Sequence, residues 1–214
     1  MAKVDTSGNY CRFEGFTIVS CVDRAVLSSL QTVYDALAKS ELISNYYSPL
    51  PLDSYHMTTT MLHNKSNLND SESWEEFVYK NMEFYQHLKA SVDQQNIKPV
   101  FSVKYILVSS AIFLMGTIDE SHERSICELA EQYGLTSFLP FFSNRKPREF
   151  HITLAYQYKS MSDSTSQNVK ETILKAIGNA LPSEHIHLDS PQLCYHNDMT
   201  GFHPWNAISY PFES

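Results

Sequence analysis

Glycine is scarce in this sequence, and the few glycines stand far apart. Only six occur among the 214 residues, at positions 8, 15, 116, 134, 178 and 201. No two of them have the spacing of G-x-G-x-x-G, G-x-x-x-x-G-K or G-x-S-x-G. The sequence therefore excludes a dinucleotide-binding loop, a P-loop and a nucleophile elbow, and any chemistry must be carried by side chains.

Paired cysteines and an excess of basic residues are also missing. The four cysteines form no C-x-x-C pair, so we expect reduced thiols and neither a zinc ribbon nor a thioredoxin-like site. The formal net charge of −8 argues against broad binding to duplex DNA, which needs many Lys and Arg side chains. No apolar run approaches the roughly 18 residues of a membrane span, and the N-terminus lacks the pattern of a secretory signal. We therefore expect a cytoplasmic or nuclear protein that does not contact a membrane.

Hydrophobic residues make up 43% of the chain and charged residues only 19%, as in a packed protein. The length fits one domain covering residues 1–214. Strand and helix patterns alternate along the chain, which indicates the α+β class or, less specifically, α/β. The expected strands are residues 13–22, 54–63, 100–109, 111–118, 149–158, 185–195 and 200–208. The expected helices are residues 24–43, 72–92, 121–133 and 166–181.

Two of the expected strands carry the same short motif, H-x-T. His56 and Thr58 lie on the first strand, and His151 and Thr153 lie on the second, 95 residues further on. Side chains alternate between the two faces of a strand, so each histidine shares a face with its threonine while apolar neighbours point the other way. Because the copies occupy corresponding places in two halves of the chain, the pattern predicts two lobes around a shared cleft.

These paired motifs resemble those of the two-histidine (2H) phosphoesterase superfamily, and the similarity in element order extends over nearly the whole chain. The resemblance implies a bilobal fold, with two pseudo-symmetric lobes whose antiparallel sheets are flanked by helices around a central cleft. It also implies a phosphodiesterase without metal or cofactor, in which His56 and His151 are the acid and base and Thr58 and Thr153 bind phosphate. The sequence departs from the family pattern at Thr59, where an aliphatic residue is more usual.

The chemistry of a phosphodiester explains why two histidines are useful. One group must remove a proton from the attacking water or ribose hydroxyl, and another must give a proton to the leaving oxygen. Imidazole suits both tasks because its ordinary pKa lies nearest to neutral pH. Hydroxyl donors such as Thr58 and Thr153 can stabilise the charge that develops on the phosphoryl oxygens. The sequence does not assign the acid and the base between His56 and His151.

Several further residues are candidates for substrate binding. Arg148, with Arg145 and Lys146, precedes the second motif and either attracts a phosphate or belongs to a solvated basic loop. Tyr156 is a substrate-binding candidate, although its strand parity favours packing in the core. Thr60 shares the parity of His56 and is a further possible donor.

The last expected strand contributes another candidate group. Trp205, with Phe202 and His203, either forms a wall on which a base stacks or packs in the core. We expect Met61 to be a core residue. His185 and His187 share a strand face, but no third ligand accompanies them at metal-ligand spacing. We therefore expect no metal site, and we expect His196 at the surface or on a polar face.

Two functions of different classes remain open. The first is a metal-independent phosphodiesterase, acting as a monomer on a nucleotide 2′,3′-cyclic phosphate or on a short 2′-5′ or 3′-5′ linked oligonucleotide. The second is a module that uses the same cleft to bind a nucleotide or an RNA end without cleaving it. The presence of both histidines favours the enzyme, since binding alone does not require an acid and a base.

Overall fold

The computed structural model describes residues 2–68, 72–140 and 147–212, and within these ranges the class is α+β. The strands are β1 (Gly15–Cys21), β2 (Tyr47–Pro49), β3 (His56–Asn64), β4 (Val100–Val108), β5 (Ala111–Thr117), β6 (Phe150–Gln157), β7 (His185–His187), β8 (Gln192–His196) and β9 (His203–Pro204). The helices are α1 (Arg24–Ala38), α2 (Glu41–Ser44), α3 (Trp74–Lys80), α4 (Met82–Gln94), α5 (Glu120–Gln132) and α6 (Asp163–Ala180).

The nine strands form one antiparallel sheet in the order β7-β4-β5-β6-β3-β1-β8-β9, and β2 pairs with β6. The two motif strands, β3 and β6, are neighbours at the centre of this sheet. They pair through Met57 and Ile152, which are the middle residues of the two H-x-T motifs. Further along β6, the partner strand is β2 instead of β3. The sheets of the two expected lobes are therefore continuous through the Met57–Ile152 pair.

Two apolar clusters hold the helices against this sheet. In the first cluster, α1 and α6 contribute buried residues at helical spacing, such as Leu30, Val33 and Leu37, and cover the strands of the β6 half. In the second cluster, α3, α4 and α5 pack near β1, around the buried ring of Phe16. Because the helices cover these apolar surfaces, the polar side chains of β3 and β6 are left to line a cleft.

Several elements are shorter than the sequence pattern predicts. The expected helix 72–92 is divided at Asn81, whose side-chain amide donates to the carbonyl oxygen of Phe77 at 2.8 Å. Such a bond competes with the helical backbone bonds and favours an end to the helix. The expected helix 24–43 similarly ends at Ala38, and a separate short helix follows from Glu41. The expected strand 200–208 is reduced to His203–Pro204. None of the described helices is both long enough and apolar enough to cross a membrane.

We predict opposite effects for alanine at two glycines. At Gly116 on β5, an added Cβ would clash with the carbonyl oxygen of Ser102 and lie 2.8 Å from the ring of Phe101. Gly116→Ala should therefore lower the free energy of unfolding by roughly 1–3 kcal/mol. At Gly178 on α6, the added Cβ meets no atom within 4 Å apart from the adjoining residues and backbone of the helix itself, so Gly178→Ala should raise the free energy of unfolding by roughly 0.5–1 kcal/mol. Urea unfolding measures both changes, and equal effects would contradict the packing described at β5.

Candidate active site

A cavity of about 190 Å³ lies over the centre of the sheet and contains both motifs. His56, Thr58, His151 and Thr153 all line it. The antiparallel register around the Met57–Ile152 pair places each histidine across from the threonine of the other motif. The two middle residues are fully buried and point to the opposite face, as strand alternation requires. The structure thus brings together the four residues that the motifs predict.

A β-bulge follows each H-x-T motif at the corresponding position. On β3 the extra residue is Thr59, because consecutive residues Ile18 and Val19 of β1 pair with Thr60 and Thr58. On β6 the extra residue is Leu154, because consecutive residues Ile112 and Phe113 of β5 pair with Ala155 and Thr153. A bulge shifts the alternation by one residue, so the parity inferred from regular strands fails beyond it.

The bulges change which side chains face the cleft. Tyr156 lines the cavity although regular alternation would turn it into the core. Met61, the corresponding residue on β3, also lines the cavity and is 49% exposed, so the expectation of a core position was wrong. Thr60 is buried and does not line the cavity, which corrects its expected place beside His56. The hydroxyl of Thr59, the bulge residue, donates a hydrogen bond to the carbonyl oxygen of Ile18 at 3.1 Å. This bond provides a partner for a buried polar side chain.

The ring of His56 is held in one tautomer. Its Nδ1 lies 2.7 Å from the carbonyl oxygen of Ser54, which accepts a hydrogen bond and cannot donate one. Nδ1 therefore carries the proton, and Nε2 keeps a lone pair. The ring packs on Phe202, with 3.9 Å between the ring centroids. Burial lowers the pKa of His56 to about 4, against the opposing effect of the Ser54 hydrogen bond.

His151 has a similar electrostatic environment. Burial, with a smaller contribution from the positive charge of Lys3, lowers the pKa of His151 to about 4. The edge of its ring meets Phe113 at 5.0 Å between centroids. Both motif histidines are thus neutral at pH 7 in this structure, which suits a proton acceptor. A proton donor requires a negative charge nearby that favours the protonated ring.

A third imidazole, that of His196, lines the same cavity. Its Nδ1 donates to the carbonyl oxygen of Phe13 at 2.7 Å, in the arrangement seen at His56, and its ring stacks on Phe13. Burial lowers the pKa of His196 to about 4. A surface position, one of the two that we expect, is wrong because His196 is only 5% exposed; its position beside the polar residues of the cleft agrees with the other. Phe13, which accepts this hydrogen bond, is 183 residues away in the chain, and no local sequence motif marks His196 as a cleft residue.

Lys3 also lines the cavity and was missed in the sequence. Its Nζ lies 3.2 Å from the hydroxyl of Tyr156. It lies over two aromatic rings, at 4.9 Å from the centroid of Tyr156 and 5.4 Å from that of Phe13. No signal near the second motif points to it, because it reaches the cleft from the other end of the chain.

Two substrate-binding candidates lie elsewhere. The side chain of Arg148 contacts Glu123 and Cys127 on α5, and it does not line the cavity. Trp205 is 3% exposed in the second apolar cluster, where its indole nitrogen donates to the carbonyl oxygen of Ser209 at 2.9 Å. The predicted substrate-binding roles of Arg148 and Trp205 are therefore corrected, because each side chain is held by contacts outside the cavity. Phe202 does line the cavity, and Arg145 and Lys146 lie outside the described residues.

The histidines of β7 stand apart from this cavity. His185 contacts the hydroxyl of Ser102 at 3.1 Å through Nδ1, and both His185 and His187 are exposed. In the part of the chain that the structure describes, no three His, Cys, Asp or Glu residues are arranged to hold a metal ion.

A family model and one viral protein match this chain. Residues 3–103, which include His56 and Thr58, match the family model described as 2H-phosphodiest, Domain of unknown function (DUF1868). The chain is 22% identical over 238 residues to Uncharacterized protein 127L of Invertebrate iridescent virus 6, an alignment that covers 99% of the chain and 96% of the viral protein.

The fold is found in a bacterial protein of solved structure. The conserved protein of unknown function ATU0111 from Agrobacterium tumefaciens str. C58 superimposes with a TM-score of 0.64 at 16% identity, over 95% of this chain and 89% of the bacterial one. A more distant likeness is Usb1 of Kluyveromyces marxianus, with a TM-score of 0.44 at 11% identity over 91% and 98% of the two chains.

We predict that the buried imidazoles make the protein unstable in mild acid. The pKa of His196 is about 4 in the folded chain and has its ordinary value of 6.5 when unfolded, so the unfolded chain binds the extra proton between these values. Stability is therefore complete above pH 6.5 and falls as the pH drops toward 4, by about 1.4 kcal/mol per pH unit for each such group.

Urea unfolding at pH 7, 6 and 5 measures this slope. In His196→Gln the slope should be smaller by about one proton, because one group no longer titrates. An unchanged slope in this variant would contradict the buried neutral state of His196.

Proposed function

We propose that this chain is a two-histidine (2H) phosphoesterase, which the match of residues 3–103 to the 2H-phosphodiest family model supports, and that it is a metal-independent phosphodiesterase with His56 and His151 as its acid and base. Its substrate is a nucleotide 2′,3′-cyclic phosphate or a short 2′-5′ or 3′-5′ linked oligonucleotide. The observation that carries this proposal is the convergence of both H-x-T motifs on one cavity, in a register that sets each imidazole across from a hydroxyl. That arrangement supplies two proton carriers and two donors around one phosphoryl group.

In this reaction, one neutral imidazole removes a proton from the attacking oxygen as that oxygen bonds to phosphorus. The bond from phosphorus to the leaving oxygen breaks, and the other imidazole, which is protonated, gives its proton to that oxygen. The free Nε2 of His56 has the lone pair that the first task requires. Thr58 and Thr153 donate hydrogen bonds to the non-bridging oxygens, where negative charge accumulates.

The substrate itself helps to create the acid. A phosphodiester brings one negative charge into a cleft where burial otherwise keeps the pKa of both histidines near 4. An adjacent negative charge favours the charged form of imidazole and raises its pKa. One histidine therefore gains a proton when the substrate binds, while the other stays neutral and serves as the base.

We predict that His56→Ala and His151→Ala each lower kcat by about 10²–10⁴, the usual contribution of a general acid or base. The matched control is His187→Ala, which removes an exposed imidazole on β7 and should leave kcat unchanged. A panel of 2′,3′-cyclic nucleotides, 2′-5′ oligoadenylates and 3′-tailed RNAs, with analysis of the product ends, identifies the substrate. The wild-type rate should also be unaffected by a chelator.

Saturable binding of these compounds with no product would instead support the binding module. A near wild-type rate in either motif variant would remove that histidine from the mechanism.

We predict different pH dependences for kcat/KM and kcat. The free protein has both histidine pKa values at about 4, so the form with one proton becomes rarer above that pH. The profile of kcat/KM should therefore fall by about tenfold per pH unit on its alkaline side. Because bound substrate raises the pKa, the alkaline limb of kcat should lie at higher pH. Coincident limbs would show that the substrate does not change the protonation of the pair.

A further inference from the structure

A short hairpin at the start of the chain carries Lys3 into the cleft. Val4 pairs with Tyr10 across this hairpin, and the amide of Cys11 donates to the carbonyl oxygen of Lys3 at 3.0 Å. The turn is closed by Asp5, whose carboxylate accepts from the amides of residues 7 and 9, and by Gly8 at a φ of +89°. The backbone around Lys3 is therefore defined by several hydrogen bonds.

The hairpin is also bonded to β2 in the body of the protein. The hydroxyl of Tyr10 donates to the carbonyl oxygen of Ser48 at 2.8 Å. In the other direction, the hydroxyl of Ser48 donates to the carbonyl oxygen of Gly8, also at 2.8 Å. These reciprocal bonds fix the hairpin beside β6, so the position of Lys3 at the cavity is built into the fold.

The ammonium group of Lys3 is held by neutral partners. The hydroxyl of Tyr156 accepts its hydrogen bond, and the faces of Tyr156 and Phe13 attract its charge. No carboxylate of the described residues forms an ion pair with it. In contrast, Lys65, which directly follows β3, pairs with the buried carboxylate of Glu14 at 2.9 Å. Lys3 thus keeps its positive charge available to an anion in the cavity.

We propose that the ammonium of Lys3 binds a non-bridging oxygen of the phosphoryl group that lies between His56 and His151, a role that rests on the phosphodiesterase function proposed above. Lys3 then supplies the cationic contact that the sequence suggested for Arg148. It is well suited to this task because an ammonium has three donors, of which Tyr156 accepts only one. Its charge offsets that of the phosphodiester without taking part in proton transfer.

The first experiment measures ligand binding and does not depend on turnover. Isothermal titration calorimetry compares adenosine 2′-monophosphate with adenosine, at constant salt, for the wild type, Lys3→Met and Lys3→Arg. Methionine keeps an unbranched apolar chain against Phe13 and Tyr156, so the hairpin should stay docked. Lys3→Met should weaken the monophosphate by at least tenfold and leave adenosine unchanged, and Lys3→Arg should retain most of the affinity.

The chain offers a matched control in Lys159. Its ammonium also lies over an aromatic ring, at 5.7 Å from the centroid of Tyr46, but it does not line the cavity. Lys159→Met should bind the monophosphate like the wild type. If Lys3→Met also binds it like the wild type, or if the wild type binds neither the monophosphate nor inorganic phosphate, the role of Lys3 is overturned.

A second measurement does not require Lys3→Met to fold. Lysines of the wild type are reductively methylated with ¹³C, and the Lys3 resonance is assigned by its loss in Lys3→Arg. Adenosine 2′-monophosphate should shift this resonance, and adenosine should not; no shift with either would contradict the contact.

Turnover of diesters is then assayed separately. Monophosphate binding through Lys3 without any turnover would reject the phosphodiesterase and leave Lys3 as a phosphate ligand. Turnover of diesters without any effect of Lys3 on monophosphate binding would support the phosphodiesterase and reject the role of Lys3.

Discussion

The pairing of Met57 with Ile152 is the contact on which the geometry of the cleft depends. These residues hold the same place in the two H-x-T motifs, so the pair lies on a local two-fold relation between β3 and β6. Antiparallel strands joined at equivalent residues bring each histidine opposite the threonine of the other copy. Both side chains are buried in the first apolar cluster. The hydrophobic core thus sets the register of the polar face, and a shift of either strand by one residue would turn the motif of that strand away from the cavity.

The interior of the cleft is nearly neutral because burial opposes charge. Three imidazoles, those of His56, His151 and His196, share the cavity, and burial lowers the pKa of each to about 4. Two of them donate Nδ1–H to backbone carbonyls, so their ring orientation is fixed before any ligand enters. Among the described residues that line the cavity, Lys3 is the one that carries a positive charge. An entering anion therefore meets the charge of Lys3 and a set of groups whose protonation the anion can change.

Regular strand alternation was enough to find the four motif residues, because each histidine and its threonine precede the bulge on their strand. Beyond the bulges at Thr59 and Leu154 the alternation fails, and Tyr156 and Met61 lie in the cleft although alternation alone would place them in the core. Bulges depend on the pairing of neighbouring strands, which short motifs do not reveal. Lys3 and His196 come from distant parts of the chain, so only the folded topology brings them to the motifs.

The repeated bulge also gives the cleft a direction. Each copy places a third residue five positions after its histidine, and here the copies differ: a thioether at Met61 and a phenol at Tyr156. A site with full two-fold symmetry would accept an asymmetric nucleotide equally well in either of two opposite orientations. With an apolar group at one end and a phenol joined to an ammonium at the other, these orientations differ in energy. The nucleotide substrate proposed above would thus bind in one preferred orientation, which Met61 and Tyr156 set.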